Sequence, residues 1–149
     1  MAKAEGKVVP FEGVDKVDTS VLERFPYEGP KQRVLYTTKE FSAVCPFSGL
    51  PDIATVEVEY MPSKYCVELK SLKYYFLSYR NVGIYQEAVT ARLYEDLAKL
   101  LEAHSLRVKT VYNVRGGIDA DAFARDPERP HVVRMRHPAG LQHVDPALA

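Results

Sequence analysis

The sequence predicts an α+β domain in which a four-stranded antiparallel sheet carries two helices on one face. Early and late in the chain, apolar residues alternate with polar ones, as in half-buried strands. Between these segments, apolar residues recur every three or four positions, which is typical of amphipathic helices. The resulting order is strand, strand, helix, helix, strand, strand, and it favours helices packed on one side of a sheet.

Length and composition favour one soluble domain with one core. The chain has 149 residues, of which 46% are hydrophobic and 27% are charged. We expect a single domain over residues 1–149, with an extended N-terminal arm at 1–30 and an irregular tail at 138–149. The sequence contains no apolar run of the roughly 18 residues that a membrane span needs, and its N-terminus has no apolar signal stretch. We therefore expect a cytoplasmic protein whose two cysteines, Cys45 and Cys66, are free.

The charge balance bears on the possible partners. Basic and acidic residues number 20 each, so the formal net charge is zero. Proteins that bind nucleic acid usually carry a basic excess, so we expect no direct contact with nucleic acid. A local basic patch that holds one or two phosphates remains compatible with this balance.

The first two strands are predicted before the middle of the chain. Residues 33–44 (RVLYTTKEFSAV) are rich in valine, threonine and aromatic residues. Residues 53–61 (IATVEVEYM) alternate cleanly, and their apolar face holds Val56, Val58 and Tyr60. We expect both segments to be strands and the stretch between them to be a connecting turn.

Two helices follow. Residues 69–80 place Leu69, Leu72, Phe76 and Tyr79 on one helical face, and Gly83 interrupts the pattern soon afterwards. The second helix is predicted from about residue 84 to 103. Its buried stripe repeats every four residues and comprises Tyr85, Val89, Leu93, Leu97 and Leu101.

Two further strands are predicted after the helices. Residues 107–114 (RVKTVYNV) have strand composition, and Arg115 with the two following glycines ends them in a turn. Residues 119–130 are acidic and contain two prolines, which favours a loop. Residues 131–137 (HVVRMRH) are predicted to be the last strand.

The turn FSAVCPFSGLPD (41–52) carries the first candidates for chemistry. Cys45 stands at a strand end and is followed by Pro46 and Pro51, so the thiol can face a loop surface and act as a nucleophile. Asp52 can then protonate the group that the thiolate attacks. The alternatives are that Cys45 is a small buried apolar residue and that Asp52 is a turn former. Cys66 fits core packing better.

Two glutamates flank the starts of the helices. Glu68 and Glu87 can be helix N-terminal carboxylates, each stabilising by about 0.3–1 kcal/mol. Alternatively, such a carboxylate accepts the two parallel N–H groups of an amino-pyrimidinone edge. Val67 and Gln86 immediately precede these two glutamates in the chain.

The basic residues and the histidines are less informative. Lysines on a helix are usually solvated, and this applies to Lys70 and Lys73. Arg115 is more suggestive, because an arginine beside the exposed N–H groups of Gly116 and Gly117 can hold a phosphate. None of the four histidines has a partner at zinc spacing, and no G-x-G-x-x-G motif is present. We expect no bound metal.

Four segments together resemble a known family. ELKSLKYY (68–75) is similar to the signature of the NADPH-dependent 7-cyano-7-deazaguanine reductases, the nitrile reductases of queuosine biosynthesis. Residues 41–52, SYRNVGIYQEA (78–88) and NVRGGID (113–119) are also similar to that family. The resemblance runs from about residue 35 to 120 in the family's order, and the length fits its short single-module subfamily.

The resemblance implies a fold and an assembly. The fold is the tunnelling fold, whose subunits pair their sheets edge to edge into a pentameric barrel. Two pentamers stack head to head into a decamer, and the sites lie between subunits. Such a homo-oligomer would cover the two open edges of the predicted sheet.

The resemblance also implies a reaction. The Cys45 thiolate attacks the nitrile carbon of 7-cyano-7-deazaguanine and forms a thioimide, and Asp52 protonates the nitrogen. Two NADPH molecules then complete the reduction to 7-aminomethyl-7-deazaguanine. The thiol is needed because a nitrile accepts hydride poorly until its carbon becomes more polar.

By the same resemblance, the binding residues can be assigned. The substrate site comprises Val67, Glu68, Leu69, Gln86 and Glu87. The NADPH contacts comprise Leu69, Lys70, Arg115 and Gly116. Many members have histidine at the position of Gln86, and a glutamine can hydrogen-bond but cannot shuttle protons, so Gln86 is assigned to binding alone.

Three alternatives remain open. An archaeosine-type amidinotransferase of the same fold would form the thioimide on a whole tRNA and take ammonia or an amine in place of hydride. A pterin-pathway cyclohydrolase of that fold would need a zinc site. A ring-forming interaction module would hold Cys45 for structural reasons only.

Overall fold

The computed structural model describes residues 2–126, 136–137 and 140–141. The strands are β1 (Arg24–Pro26), β2 (Val34–Val44), β3 (Pro51–Met61), β4 (Tyr65–Val67), β5 (Ser105–Arg115), β6 (Ile118–Arg125), β7 (Arg136–His137) and β8 (Gly140–Leu141). The helices are α1 (Leu69–Leu77) and α2 (Gln86–Leu101), with single 3-10 turns at Val14–Lys16 and Thr19–Val21.

The main sheet has the order β2-β3-β5-β6, and all of its neighbouring strands are antiparallel. This confirms the predicted α+β class with a four-stranded antiparallel sheet. In β3 every second side chain is buried, including Val56, Val58 and Tyr60, as the alternation predicted. The buried face packs against the helices, and Leu93 and Leu97 of α2 lie in the same core cluster as these β3 residues.

Both helices were predicted at the correct positions, and their buried faces largely match the predicted ones. Val89, Leu93, Leu97 and Leu101 are fully buried. Tyr85 is exposed because it precedes α2 as its N-cap rather than lying within the helix. In α1, Leu72 and Tyr75 are buried, whereas Leu69 is exposed at the first position of the helix.

The prediction of a loop over residues 119–130 was wrong for 119–125, which belong to β6. The half-buried positions of β6 are the alanines Ala120, Ala122 and Ala124, and they alternate with exposed charged or aromatic residues. Alanine is a weak strand former, so this alternation carries little strand signal in the sequence. The fourth strand of the sheet is therefore β6.

The predicted last strand at 131–137 was consequently wrong as the fourth strand of this sheet. Of that segment the structure describes only β7, which pairs with β8 and not with the main sheet. The rest of 131–137, and all of the predicted tail at 138–149 except Gly140–Leu141, lie outside the described residues.

The N-terminal segment is tied to the functional loops. It contains two 3-10 turns and then β1, which pairs with β4. Further upstream, the Val9 N–H donates to the Ser48 carbonyl at 2.9 Å, and the Glu12 N–H donates to the Asn81 carbonyl at 2.8 Å. The segment thus bridges the turn after β2 and the connection between the helices. Among the described residues, no helix is long and apolar enough to cross a membrane.

Candidate active site

The loop between β2 and β3 is closed by its own backbone. The Cys45 N–H donates to the Leu50 carbonyl at 2.9 Å, and the Gly49 N–H donates to the Cys45 carbonyl at 2.8 Å. Gly49 has a φ of +69°, which favours glycine, and the Val9 carbonyl occupies the space where a Cβ would stand. The residue types of this loop thus fix the position of Cys45 at the end of β2.

The Cys45 thiol is partly exposed and has a lowered pKa. The backbone N–H groups of Phe47 and then Ser48 stabilise the thiolate and lower its pKa most. Partial burial opposes them, the Ser48 side chain adds to them, and the negative charge of Asp52 opposes them slightly. A thiolate is the nucleophilic form of cysteine, so the loop favours a reactive thiol. By contrast, Cys66 is free and buried in β4, as predicted from its core-like context.

Asp52 lies on the adjacent strand with its side chain 5% exposed. It pairs with Ala43 of β2, two positions before the thiol. Burial raises the pKa of the Asp52 carboxyl, and the Arg115 guanidinium partly offsets this by its charge and hydrogen bond. A raised pKa keeps a larger fraction of a carboxyl protonated, which suits a proton donor.

Arg115 ends β5 and reaches across to the start of β3. Its Nη2 contacts the Asp52 carboxylate directly and also donates to the Pro51 carbonyl at 2.9 Å. Arg115 thus contacts the candidate acid in this structure. Its assignment to cofactor phosphate stays a prediction.

The connection between the helices brings the start of α2 beside the thiol. The Val44 N–H donates to the Val82 carbonyl at 3.0 Å, and the Ile84 N–H donates to the Val44 carbonyl at 3.2 Å. The exposed rings of Phe47 and Tyr85 meet edge to face with their centroids 6.1 Å apart. The predicted pair Gln86 and Glu87 therefore follows directly on a segment that is hydrogen-bonded to β2.

The first turn of α2 also lies over β5. Thr90 and Thr110 share a hydrogen bond of 2.6 Å, and Glu87 is one helical turn before Thr90. Glu87 is exposed, and Tyr112 is buried on the same face of β5 as Thr110. Sequence reasoning did not single out Phe47, Tyr85 and Tyr112, which the structure places near Cys45 and Asp52, because a loop phenylalanine, a helix-stripe tyrosine and a strand tyrosine carry no distinguishing signal.

A second region lies between β2 and α1. A cleft of about 560 Å³ is lined by predicted residues Glu68, Leu69 and Lys70. Its other lining side chains include the cations Lys73 and Arg80. Apolar walls come from residues such as Phe41, Leu72 and Phe76. The lining thus places three cations and the two carboxylates of Glu40 and Glu68 beside apolar surface.

Glu68 has a structural role in this region. Its carboxylate caps α1 by accepting the N–H of Lys70 at 2.9 Å and of Ser71 at 2.6 Å. The hydrogen bond from Lys70 and then that from Ser71 hold the pKa of this carboxyl below its usual value. The helix-capping interpretation of Glu68 therefore holds, and the side chain also faces the cleft.

The structure does not bring every predicted residue into one group. Val67 is fully buried, and its N–H donates to the Tyr60 hydroxyl at 3.3 Å, so only its carbonyl is available for a ligand. Among the described residues that line the cleft, Arg115 and Gly116 do not occur. Gly116 has a φ of +54°, and no atom approaches the position of its missing Cβ. Within residues 2–126 no group of three or more His, Cys, Asp or Glu side chains is placed to hold a metal ion.

A thiol with a lowered pKa near a carboxyl with a raised one suits nucleophilic attack by sulfur coupled to proton delivery. The family model described as QueF-like protein matches residues 51–131. Proteins named NADPH-dependent 7-cyano-7-deazaguanine reductase from Thermotoga petrophila and Thermotoga maritima are each 56% identical to the chain over 119 residues. Each alignment covers 79% of this chain and 87% of the relative. The chain belongs to the QueF-like family.

Further comparisons agree in sequence and in fold. The protein of the same name from Caldicellulosiruptor bescii is 50% identical over 115 residues, which cover 76% of this chain and 88% of the relative. A crystal structure of the archaeosine synthase QueF-Like in the apo form matches with a TM-score of 0.60. That match has 23% identity and covers 69% of this chain and 100% of the other, so it supports the fold alone.

Proposed function

We propose that the protein is an NADPH-dependent nitrile reductase that converts 7-cyano-7-deazaguanine to 7-aminomethyl-7-deazaguanine in queuosine biosynthesis. One observation carries the proposal: a thiol activated by its own loop stands beside a buried carboxyl, in a chain 56% identical to enzymes of that name. The fold similarity, the cleft and the charges around it support the same reaction.

Cys45 begins the chemistry. Its thiolate adds to the nitrile carbon, so that a carbon–sulfur bond forms and one of the two π bonds of the triple bond breaks. The nitrogen takes a proton from Asp52, and the product is a neutral thioimide. The loop N–H groups of Phe47 and Ser48 favour the thiolate before the attack and again when sulfur leaves.

Asp52 serves as the proton source because its environment opposes ionisation. Burial raises its pKa, and Arg115 limits the rise. Burial and the Arg115 guanidinium therefore have opposite effects on the pKa of Asp52. Proton delivery by a positioned acid typically accelerates a reaction by about 10²–10⁴-fold.

The cleft between β2 and α1 fits a dinucleotide phosphate cofactor. Its volume of about 560 Å³ lies within the usual range for ligand pockets of about 300–1,000 Å³. Lys70, Lys73 and Arg80 supply cations for phosphates, and Leu69 with Phe76 supplies apolar surface for a ring. When bound, NADPH supplies hydride, one equivalent to the thioimide and one to the imine. We assign Arg115 and Gly116 to the same cofactor across a subunit boundary.

The start of α2 recognises the heterocycle. Glu87 is exposed and caps no other group among the described contacts, so its carboxylate is available for the two N–H groups of the amino-pyrimidinone edge. Gln86 adds a hydrogen bond, Val67 offers its backbone carbonyl, and Glu68 and Leu69 border the site. The exposed Phe47 and Tyr85 rings provide a face on which the flat base can stack.

The assembly follows from the sheet edges. Within residues 2–126, β2 and β6 are the outer strands of the main sheet, and the outer side of β2 is bridged only at Val44. Edge-to-edge pairing of copies into a homo-oligomer, a decamer of two pentamers, would cover these edges and bring the cleft of one subunit to the Arg115 turn of the next. We infer that the protein acts in the cytoplasm, where a reduced Cys45 persists, and that its substrate is the free base rather than tRNA.

The archaeosine-type amidinotransferase is the second candidate, because a thiol with a lowered pKa near a carboxyl with a raised one would serve its thioimide chemistry equally well. It would form the same thioimide but release it with ammonia or an amine. The relatives at 46–56% identity favour the reductase.

Incubation with 7-cyano-7-deazaguanine and NADPH tests the proposal. We expect two NADPH oxidised for each nitrile consumed, with no turnover in Cys45→Ala and retained turnover in the matched variant Cys66→Ala. An adduct without NADPH oxidation, resolved by added ammonia, would contradict the reductase and support the amidinotransferase.

A further inference from the structure

The hydroxyl of Tyr112 is buried without a hydrogen-bond partner. Its side chain is 4% exposed, and no donor or acceptor within residues 2–126 meets the hydroxyl oxygen at bonding distance. Buried polar groups in folded proteins are nearly always paired, and an exception calls for an explanation. The other buried tyrosine hydroxyls around α1 illustrate the usual case, since Tyr75 and Tyr79 bond each other at 2.9 Å.

The unpaired hydroxyl belongs to a residue that neighbours the candidate site residues Asp52 and Glu87. Tyr112 pairs with Ala54 of β3, and Asp52 is two residues before Ala54 on the same buried face. From above, the Thr90–Thr110 hydrogen bond of 2.6 Å fixes α2 over β5, and the preceding turn of α2 carries Glu87. Tyr112 is therefore flanked by the candidate acid and by the candidate base-recognition carboxylate.

The charges around Tyr112 keep it a hydrogen-bond donor. Burial raises the pKa of its hydroxyl most, followed by the negative charges of Asp52 and Glu87, with a smaller contribution from Tyr79. The hydroxyl thus stays protonated near neutral pH. A neutral phenol can donate one hydrogen bond, and within residues 2–126 this proton has no acceptor.

We propose that Tyr112 is a substrate-binding residue whose hydroxyl donates a hydrogen bond to the ring carbonyl oxygen of the amino-pyrimidinone. The inference rests on the proposed function. On that heterocycle the carbonyl oxygen stands next to the ring N–H, so a carboxylate that accepts the N–H groups needs a donor beside it. Tyr112 is an unsatisfied donor beside Glu87. It supplies the hydrogen-bond donor that the Glu87 carboxylate cannot supply, because an ionised carboxylate only accepts hydrogen bonds.

Tyr112→Phe tests this contact, with Tyr94→Phe as the matched control. The Tyr94 hydroxyl is already paired, with Asp126 at 2.6 Å. Both changes are made in a Cys45→Ala background, so that calorimetry reports reversible binding of 7-cyano-7-deazaguanine. We expect Tyr112→Phe to weaken binding by about 3- to 10-fold, the range for one hydrogen bond. It should leave the unfolding temperature unchanged or raised, whereas Tyr94→Phe should lower that temperature and leave binding unchanged.

The 6-thio analogue of the substrate identifies the acceptor. It keeps the ring N–H but replaces the carbonyl oxygen with sulfur, a weaker acceptor. The protein with Tyr112 should bind the 6-thio analogue more weakly than 7-cyano-7-deazaguanine. The ratio of the two dissociation constants should be smaller in Tyr112→Phe, and the difference between the two ratios isolates the contact.

Two outcomes would overturn the inference. Equal affinity of Tyr112→Phe and its parent, together with a lowered unfolding temperature, would make the hydroxyl a structural group and leave the proposed function intact. An absence of any nitrile binding while Tyr112 is present would remove the proposed function as well.

Discussion

The guanidinium of Arg115 lies against the carboxylate of Asp52, although the two residues belong to different strands and are far apart in sequence. The same guanidinium donates to the carbonyl of Pro51, the residue before the acid. The Asp52 side chain is 5% exposed and that of Arg115 is 45% exposed. The contact thus joins a buried acid to a cation that solvent or a ligand can reach.

Arg115→Gln should raise the pKa of Asp52 further, because the Arg115 guanidinium counteracts the rise in this pKa that burial causes. Since the proposed role of Asp52 requires its protonated form, the pH at which activity falls off as the acid loses its proton should move upward. The limb that reports ionisation of Cys45 should stay in place. The pH dependence of kcat measures both limbs.

Lys109→Gln serves as the control, because Lys109 is a β5 cation that contacts the Phe123 ring. It should leave the pH profile unchanged. An Arg115→Gln profile that coincides with the parent profile, together with a raised KM for NADPH, would assign Arg115 to the cofactor alone.

Cys45 should react with iodoacetamide at a lower pH than an ordinary thiol, because the Phe47 and Ser48 N–H groups lower its pKa. Ser48→Ala removes the side-chain contribution and should move the midpoint upward only in part, since the backbone N–H groups remain. Mass mapping over a pH series gives the midpoint, and the buried Cys66 provides the unreactive internal reference. A Cys45 midpoint near the free-cysteine value of about 8.5 would argue against activation by the loop.

Asp52→Asn separates the acid from the nucleophile. The Asp52 charge raises the pKa of Cys45, so its removal should lower the alkylation midpoint. Turnover should fall by about 10²–10⁴-fold because the proton donor is lost. The two readouts move in opposite directions, and normal turnover in the variant would exclude Asp52 from proton delivery.

Much of the fold was predictable because periodicity reports burial directly. The alternation in β3 and the four-residue stripe of α2 each led to the correct element and face. β6 was missed because its inner positions are alanines, which pack under α2 without a recognisable apolar pattern. Acidic residues on its outer face then favoured a loop.

The site was predictable only in part for a related reason. Cys45 and Asp52 were candidates from residue type and from the stiff turn between them, and the structure places them on neighbouring strands. Tyr112 and the Arg115–Asp52 contact depend on which strands are neighbours and on their register, and single-sequence patterns do not contain that pairing.

The N-terminal segment should hold the catalytic loop in place through Gly49. Gly49→Ala meets both an unfavourable φ of +69° and the Val9 carbonyl, so we expect a loss of about 2–4 kcal/mol in the free energy of unfolding. Gly116→Ala has a similar φ of +54° but open space, so it should cost only the backbone strain of about 1–2 kcal/mol. Chemical denaturation compares the two variants. Equal losses would mean that the contact with Val9 contributes nothing.

The cation-lined cleft should govern cofactor affinity. Lys70→Ala removes one of its positive charges and should raise the KM for NADPH by about 5- to 30-fold, with little change in the KM for the nitrile. Lys64→Ala is the control, because Lys64 is exposed and does not line the cleft. An equal change in both KM values would place Lys70 outside the cofactor site.

The covalent bond between Cys45 and the nitrile is the central claim, and intact mass spectrometry tests it most directly. The protein mixed with 7-cyano-7-deazaguanine in the absence of NADPH should gain the mass of one nitrile per chain. Fragmentation should place it on Cys45, and Cys45→Ala should gain nothing. An unchanged mass for the parent protein, or an adduct that persists in Cys45→Ala, would contradict the account.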